Sequence, residues 1–400
     1  MRFAKPSRWT LAALVAFVVA GCIWTPYVHL LFKKDLSNYR SEQGISPVAR
    51  ALAAAHLAVW SDAELRRHEL DKMRQRNPEW DFMSRTYFVL ALANMALRDQ
   101  EYLAEACDII DAIIQNTLEV ERDSGFKHFL MRYGHSGRWV VQPPGSLFVD
   151  SEIALMLAAR RFLEEKDSYK PLLAARVKTM ISRMKQSPVL CAESYPDECW
   201  LFCNTMALAP VRMADVLDAT DHSDFLSSWV EAAKKRLSNA KTGLLISTFA
   251  VDGTPSLAGF GPEGSTIWMA SHMLQIVDER FAEDQYARAR RELGRSFLGF
   301  GYSREWPVGV EGHMDVDSGP VIPGLGASAS ASGLAIMAAA AFDDDEYLRT
   351  LLTSLEFAGF PAKREGRLRY EASNPVGDAV LLYAMTEGPL WDLIREKTSR

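Results

Sequence analysis

Asp99-Gln100-Glu101-Tyr102 is the first of five short acidic turns, each followed by an aromatic residue. The others are Asp167-Ser168-Tyr169, Asp221-His222-Ser223-Asp224-Phe225, Asp278-Glu279-Arg280-Phe281 and Asp344-Asp345-Glu346-Tyr347. Their aromatics are 67, 56, 56 and 66 residues apart. An aspartate before a helix accepts from the first unpaired backbone N–H groups, and an aromatic in the first turn packs beneath it. Each turn therefore joins two helices into a hairpin.

Outward from these turns, apolar residues recur at helical spacing in twelve segments. The expected spans are 46–66, 80–98, 101–119, 149–165, 169–186, 200–218, 222–239, 264–278, 280–298, 326–342, 344–358 and 374–387. Long loops separate the hairpins at 120–148, 187–199, 240–263, 299–325 and 359–373. Five hairpins account for ten helices, and the first and last helices are left to pair and close a ring. Twelve helices in six hairpins predict an all-α fold, an (α/α)6 toroid. The helix after each long loop is then an inner one, and the loops gather at one mouth beside the inner N-termini. Loops of that length are usually functional. One short strand pair is expected near 244–250, ahead of the Asp252-Gly253 turn.

The N-terminus is different. Residues 9–32 carry no acid, lysine or arginine, and Arg2, Lys5 and Arg8 precede them while Lys33 and Lys34 follow. About 20 apolar residues cross a bilayer. The reading is a single-pass anchor over residues 1–34, with residues 35–400 as a barrel on the outer, periplasmic side of an inner membrane. Val19-Ala20-Gly21-Cys22 offers an alternative, a lipoprotein signal with its anchor on Cys22. The net charge of −6 is spread evenly, so no nucleic-acid partner is expected. The five cysteines form no disulfide framework, and no cofactor or metal is expected.

Three of those cysteines fall in residues 191–208, CAESYPDECWLFCNTMAL. Cys199 and Cys203 share a face at the start of a helix, where unpaired N–H groups favour thiolate and carboxylate. They could pair, bind metal or act singly. The plain alternative is that each is a small buried hydrophobe. Asp197, Trp200 and Asn204 adjoin them. Other residues placed at the mouth are Tyr87, Trp139 and Glu152, then Trp268, His313, Asp315, Asp317 and Tyr370. Asp315 and Asp317 alternate on an extended segment and so face one way. Paired acids push their pKa values apart, which suits acid–base chemistry. A solvated acidic loop is the competing explanation. The small-residue run 324–335 lacks the lysine of a phosphate loop.

Residues 188–217 resemble linalool dehydratase/isomerase, through Pro196-Asp197, five residues, then Cys203-Asn204 opening a helix. Weaker echoes are Ala96-Leu97-Arg98-Asp99, the acidic 315–319 run before a small-residue helix, and Leu368-Arg369-Tyr370-Glu371. The resemblance implies an (α/α)6 barrel acting on a small, largely apolar alcohol or alkene. It implies two cysteines, an aspartate, a histidine and tyrosines around the substrate hydroxyl, and a ring-shaped homo-oligomer. Cys203 matches one family cysteine. Ser194 falls where the other stands, Glu152 near the family histidine and His56 near the family aspartate.

The expected function is a lyase or isomerase with general acid–base chemistry. Cys203, Asp197, Glu152 and Asp317 would carry it. Cys199, Trp200, Asn204, Tyr87, Trp139, Trp268, His313, Asp315 and Tyr370 would line the site for an apolar or amphiphilic small molecule. Two alternatives stand beside it: a glycan-processing toroid using Glu152 and Asp317, and a membrane-tethered binding protein without catalysis.

Overall fold

The computed structural model describes residues 7–41, 43–255, 261–310, 312–316 and 319–398. The apolar segment forms helix α1 (Arg8–Trp24), continued as a 3-10 helix (Thr25–Leu31). Arg8–Leu31 is long and apolar enough to cross a membrane, and α1 itself has no buried residue.

Helix α2 (Pro47–Ser61) begins behind the Ser46 cap, whose hydroxyl accepts from Ala49 N–H. At Asp62 the chain turns into an extra helix, α3 (Ala63–Arg76), where the expected span 46–66 ran on into loop. Then come the hairpins. They are α4 (Pro78–Arg98) with α5 (Leu103–Ser124), α6 (Leu147–Leu163) with α7 (Lys170–Met184) and α8 (Leu201–Asp218) with α9 (Ser223–Arg236). Next are α10 (Gly264–Leu274) with α11 (Glu279–Glu292) and α12 (Ala329–Ala341) with α13 (Asp345–Ala358). Helix α14 (Pro375–Thr386) completes the inner set and packs on α2.

The ring closes. Helix α4 packs on α6, α6 on α8, α8 on α10, α10 on α12, α12 on α14, and α14 back on α4. Inner and outer helices differ as burial requires. Residues 201–211 of α8 are buried without a break. Helix α11 buries one stripe, Phe281, Ala282, Gln285, Tyr286 and Ala289, and keeps charges outside. Three acidic turns cap as expected: Asp99 accepts from Glu101 N–H ahead of α5, Asp278 from Phe281 N–H and Asp344 from Tyr347 N–H.

Two further features depart from the expectation. Strands occupy the long loops more than foreseen. Strand β1 (Cys199–Trp200) pairs with β2 (Thr248–Phe249), so the expected strand near 248 joins across the rim. Strands β3 (Gly294–Phe297), β4 (Phe300–Arg304), β5 (Asp315–Val316), β6 (Gly319–Ile322) and β7 (Ala327–Ser328) form one sheet in the order β3-β4-β7-β6-β5. Strands β8 (Pro361–Arg364) and β9 (Arg367–Tyr370) form a hairpin. The second departure is helix α15 (Pro389–Thr398), which packs on α4 and α8. Its Leu390 N–H donates to Asn94 at 2.9 Å, and Trp391 stacks on His272 with centroids 4.8 Å apart. His272 lies near the C-terminal end of α10, so α15 floors the ring opposite the mouth.

Candidate active site

The inner helices run parallel and bring their first turns to one rim. On α6, Asp150 and Glu152 are two residues apart and so point about 200° apart around the helix. Asp150 faces outward to Arg176 and Arg183 of α7. Glu152 turns the other way and is fully buried. Its Oε2 accepts from Thr86 Oγ1 of α4 at 2.6 Å. Its Oε1 is buried without a hydrogen-bond partner. Burial pushes the carboxyl pKa up to about 8; the Thr86 bond opposes the shift and the charge of Glu79 adds to it. Near neutral pH this group holds its proton yet can release it.

Cys203, in the first turn of α8, is also buried. The helix terminus was expected to favour its thiolate. Burial wins instead and raises the thiol pKa; the nearby Ser194 hydroxyl opposes the rise, and Glu79, Glu152 and Glu198 reinforce it. Ser194 Oγ makes no geometrically good hydrogen bond, although it lies close enough to the thiol to act on it. Tyr87 is buried with its hydroxyl unpartnered. Its pKa is raised by burial first, then by Glu152 and Cys203, so the three groups share one electrostatic neighbourhood. Glu152, Cys203 and Tyr87 thus all stand protonated at neutral pH.

Around this trio the loops build a rim. Tyr195 donates its hydroxyl proton to Glu79 and accepts from Met131 N–H at 3.0 Å. Tyr133 stacks on the Tyr195 ring at 4.6 Å. Gly134 makes that fit possible, because a Cβ there would lie 2.3 Å from the ring. Toward the floor, the Tyr87 ring is 6.2 Å from that of Tyr383. Tyr383 donates to His272 Nε2 at 2.6 Å, and His272 Nδ1 donates to Gln275 Oε1 at 3.0 Å. That pattern requires neutral imidazole, and burial lowers its pKa to about 3.

The remaining expected site residues are dispersed. Asn204 is a clamp: its Oδ1 accepts from Ala192 N–H, and its Nδ2 donates to the Ala192 and Trp200 carbonyls. It ties Ala192 to α8 and commits both of its donor hydrogens to backbone carbonyls. Asp197 is exposed, with φ of 55°, and accepts from Val251 N–H at 3.4 Å. The hydroxyl beside the Cys203 thiol is that of Ser194. Cys199 is buried in β1, near the equally buried Cys191, and all five cysteines are free. Trp200 is half-buried and donates to Glu198. Trp139 packs edge-on against Phe126 at 5.5 Å.

Trp268 is a correction. It points into the wall between helix layers, donates to Ser303 at 2.8 Å and packs against Tyr286 and Tyr347. Its place near the start of α10 suggests a mouth position, but the outward face of that turn carries it. His313 is exposed on a loop. Asp315 lies in the extended strand β5, as expected. Asp317 lies outside the described residues. Tyr370 is buried on β9 and donates to Glu356 at 3.4 Å. It lines a separate cleft of about 210 Å³ with His56, Trp60, Trp80 and Asp378, between α2, α3, α4 and α14. Burial raises the Asp378 pKa to about 7 and lowers that of His56 to about 4.

Thr86, Glu79, Tyr195, Tyr383 and His272 stand around this candidate site, and the sequence alone does not single them out. Thr86 adjoins the expected Tyr87, and its pairing with α6 depends on ring closure. His272 stands in an apolar helix, where a packed core histidine is the ordinary interpretation.

A sequence model of the linalool dehydratase/isomerase family matches residues 155–376, more than half of the chain. No curated protein matches it. The matched span contains Ser194 and Cys203, and Glu152 lies just before it. With the ring of six helix pairs and the matched span in agreement, the chain belongs to the linalool dehydratase/isomerase family.

Proposed function

We propose that the protein is a membrane-anchored lyase or isomerase acting on a small, largely apolar alcohol or alkene, with Glu152 as its general acid and base. The observation that carries this reading is that Glu152 Oε1 and the Tyr87 hydroxyl share one electrostatic neighbourhood, both buried and unpartnered inside the aromatic-walled ring. Buried polar atoms normally have partners, and a substrate hydroxyl would supply one to each. An acid with a pKa near the working pH is also the most effective proton carrier.

In the proposed reaction Glu152 protonates the substrate hydroxyl, the C–O bond breaks and water leaves. The resulting carboxylate takes a proton from a carbon next to the cationic centre, giving an alkene and restoring the acid. Addition of water reverses the steps, and return of water at the far allylic carbon isomerises the alcohol. Cys203 and Tyr87 hold the hydroxyl, and Ser194 steadies the thiol. Residues 9–32 anchor the barrel, which we place on the outer side of an inner membrane.

The test is conversion of allylic alcohols, beginning with linalool, by the full chain in detergent, followed by gas chromatography in H2O and D2O. Dehydration with deuterium exchanged at carbon supports the proposal, provided that Glu152→Gln abolishes it. Turnover retained in the Glu152→Gln protein would overturn the assignment of the acid.

A further inference from the structure

The apolar N-terminal helix does not end in free chain. Its 3-10 continuation (Thr25–Leu31) and the residues after it lie against the barrel. The His29 ring meets Phe300 edge-on at 6.4 Å. Phe32 is 5.0 Å from Phe357, and Phe300 is 5.2 Å from Phe357. Lys34 pairs with Glu356. Gly299, with φ of 82°, permits this approach, because a Cβ there would lie 2.3 Å from the His29 ring. The contact is on the mouth side. Phe357 is near the end of α13, and outer helices run opposite to inner ones, so their C-terminal ends lie with the inner N-termini.

The aromatic cluster continues into side chains that the barrel leaves uncovered. Phe297 opposes Phe300 across the β3–β4 turn and is 69% exposed. Phe357 is 50% exposed and Phe360, just beyond it, 65%. The β8–β9 hairpin then presents Lys363, Arg364 and Arg367, all exposed. Single exposed apolar residues are ordinary, but aromatics grouped beside a basic hairpin are the composition of a surface that lies on a membrane.

We infer that this sector of the rim, from Phe297 through Phe357 and Phe360 to the β8–β9 hairpin, rests on the headgroup layer of a bilayer containing anionic lipid. Continuity identifies the occupant. Helix α1 (Arg8–Trp24) is covered by nothing in the barrel, and the chain leaving it joins the same aromatic cluster. The surface that receives α1 therefore also reaches Phe297 and Phe360. Aromatic rings settle at the interface, and the lysine and arginines face lipid phosphates. A lipophilic substrate dissolved in the membrane then reaches the mouth without crossing bulk water. The inference rests on the anchoring proposed above.

The test uses the full chain in proteoliposomes of phosphatidylethanolamine and phosphatidylglycerol, with a diazirine carried on a lipid near its headgroup. After illumination, labelled peptides are mapped by mass spectrometry, with peptides of α7 and α9 as the background. Labelling well above that background on the peptides holding Phe297 and Phe357–Phe360, together with α1, supports the inference. Labelling confined to α1 overturns it and leaves the anchor intact. A chain unlabelled even at α1 overturns the anchoring, and the inference with it.

Discussion

Thr86 Oγ1 donates to Glu152 Oε2 at 2.6 Å, tying α4 to α6 inside the ring. The bond favours the charged carboxylate and so holds the Glu152 pKa below what burial alone would give. Thr86→Val removes the donor while keeping the shape. Its acidic group should titrate higher by about one unit, the equivalent of one ordinary hydrogen bond. The pH–rate profile of alcohol conversion checks this. An unmoved alkaline limb would show that Thr86 does not act on the titrating group.

Buried groups also set how stability depends on pH. Burial raises the pKa of Glu152 to about 8 and those of Asp378 and Glu387 to about 7. The folded state therefore keeps these protons where the unfolded chain has lost them, and stability falls as pH rises from the ordinary carboxylate range to about 8. His56, His128 and His272 are shifted the other way, to about 4, 4 and 3. Their contribution falls as pH drops below about 6.5, the ordinary histidine value. The opposing effects offset each other near pH ~5–6, and only the carboxyl effect operates above about pH 6.5. Urea midpoints should thus be lower at about pH 8 than at about pH 5.5. In Glu152→Gln that decline should shrink by on the order of 2–3 kcal/mol, and an equal decline would contradict the buried-acid assignment.

Thiol accessibility gives an independent check. Cys22 is exposed, while Cys107, Cys191, Cys199 and Cys203 are buried and free. Alkylation of the native protein in detergent near neutral pH should spare Cys107, Cys191, Cys199 and Cys203, and all four should react after unfolding. Rapid native labelling of Cys203 would show a reactive thiolate, contrary to its raised pKa.

Asn204 joins helix α8 to the loop that carries Ser194. Asn204→Ala leaves buried backbone groups unpaired, each costing about 1–3 kcal/mol. A loss of about 3 kcal/mol or more is expected from denaturant unfolding, with activity falling as the Ser194 loop loosens. A loss below about 0.5 kcal/mol would show that water replaces the clamp.

The toroid was legible because acidic turns and aromatics mark where one helix hands over to the next. Asp278 and Asp344 cap in the expected manner. Asp221 sits one residue earlier, accepting from Ser223 N–H ahead of the His222 cap, and Asp167 is not the cap of α7. The five-stranded sheet is not legible because its strands are two to five residues long and interrupted by glycines, too short for alternation to register. The site was legible only in part. Glu152, Cys203 and Tyr87 could be placed near one end from their helices. Which side of a helix faces the lumen is another matter, as Trp268 and Asp150 show. Burial, which decides the protonation of Cys203, is a property of the closed ring and not of residues 191–208 taken alone.

The most direct measurement is an infrared difference titration of the full chain against Glu152→Gln. The protonated-carboxyl carbonyl band of Glu152 should be present at about pH 6 and disappear with a midpoint near pH 8. A carboxylate already formed at about pH 6, with no such band, would contradict the buried acid on which the proposed chemistry depends.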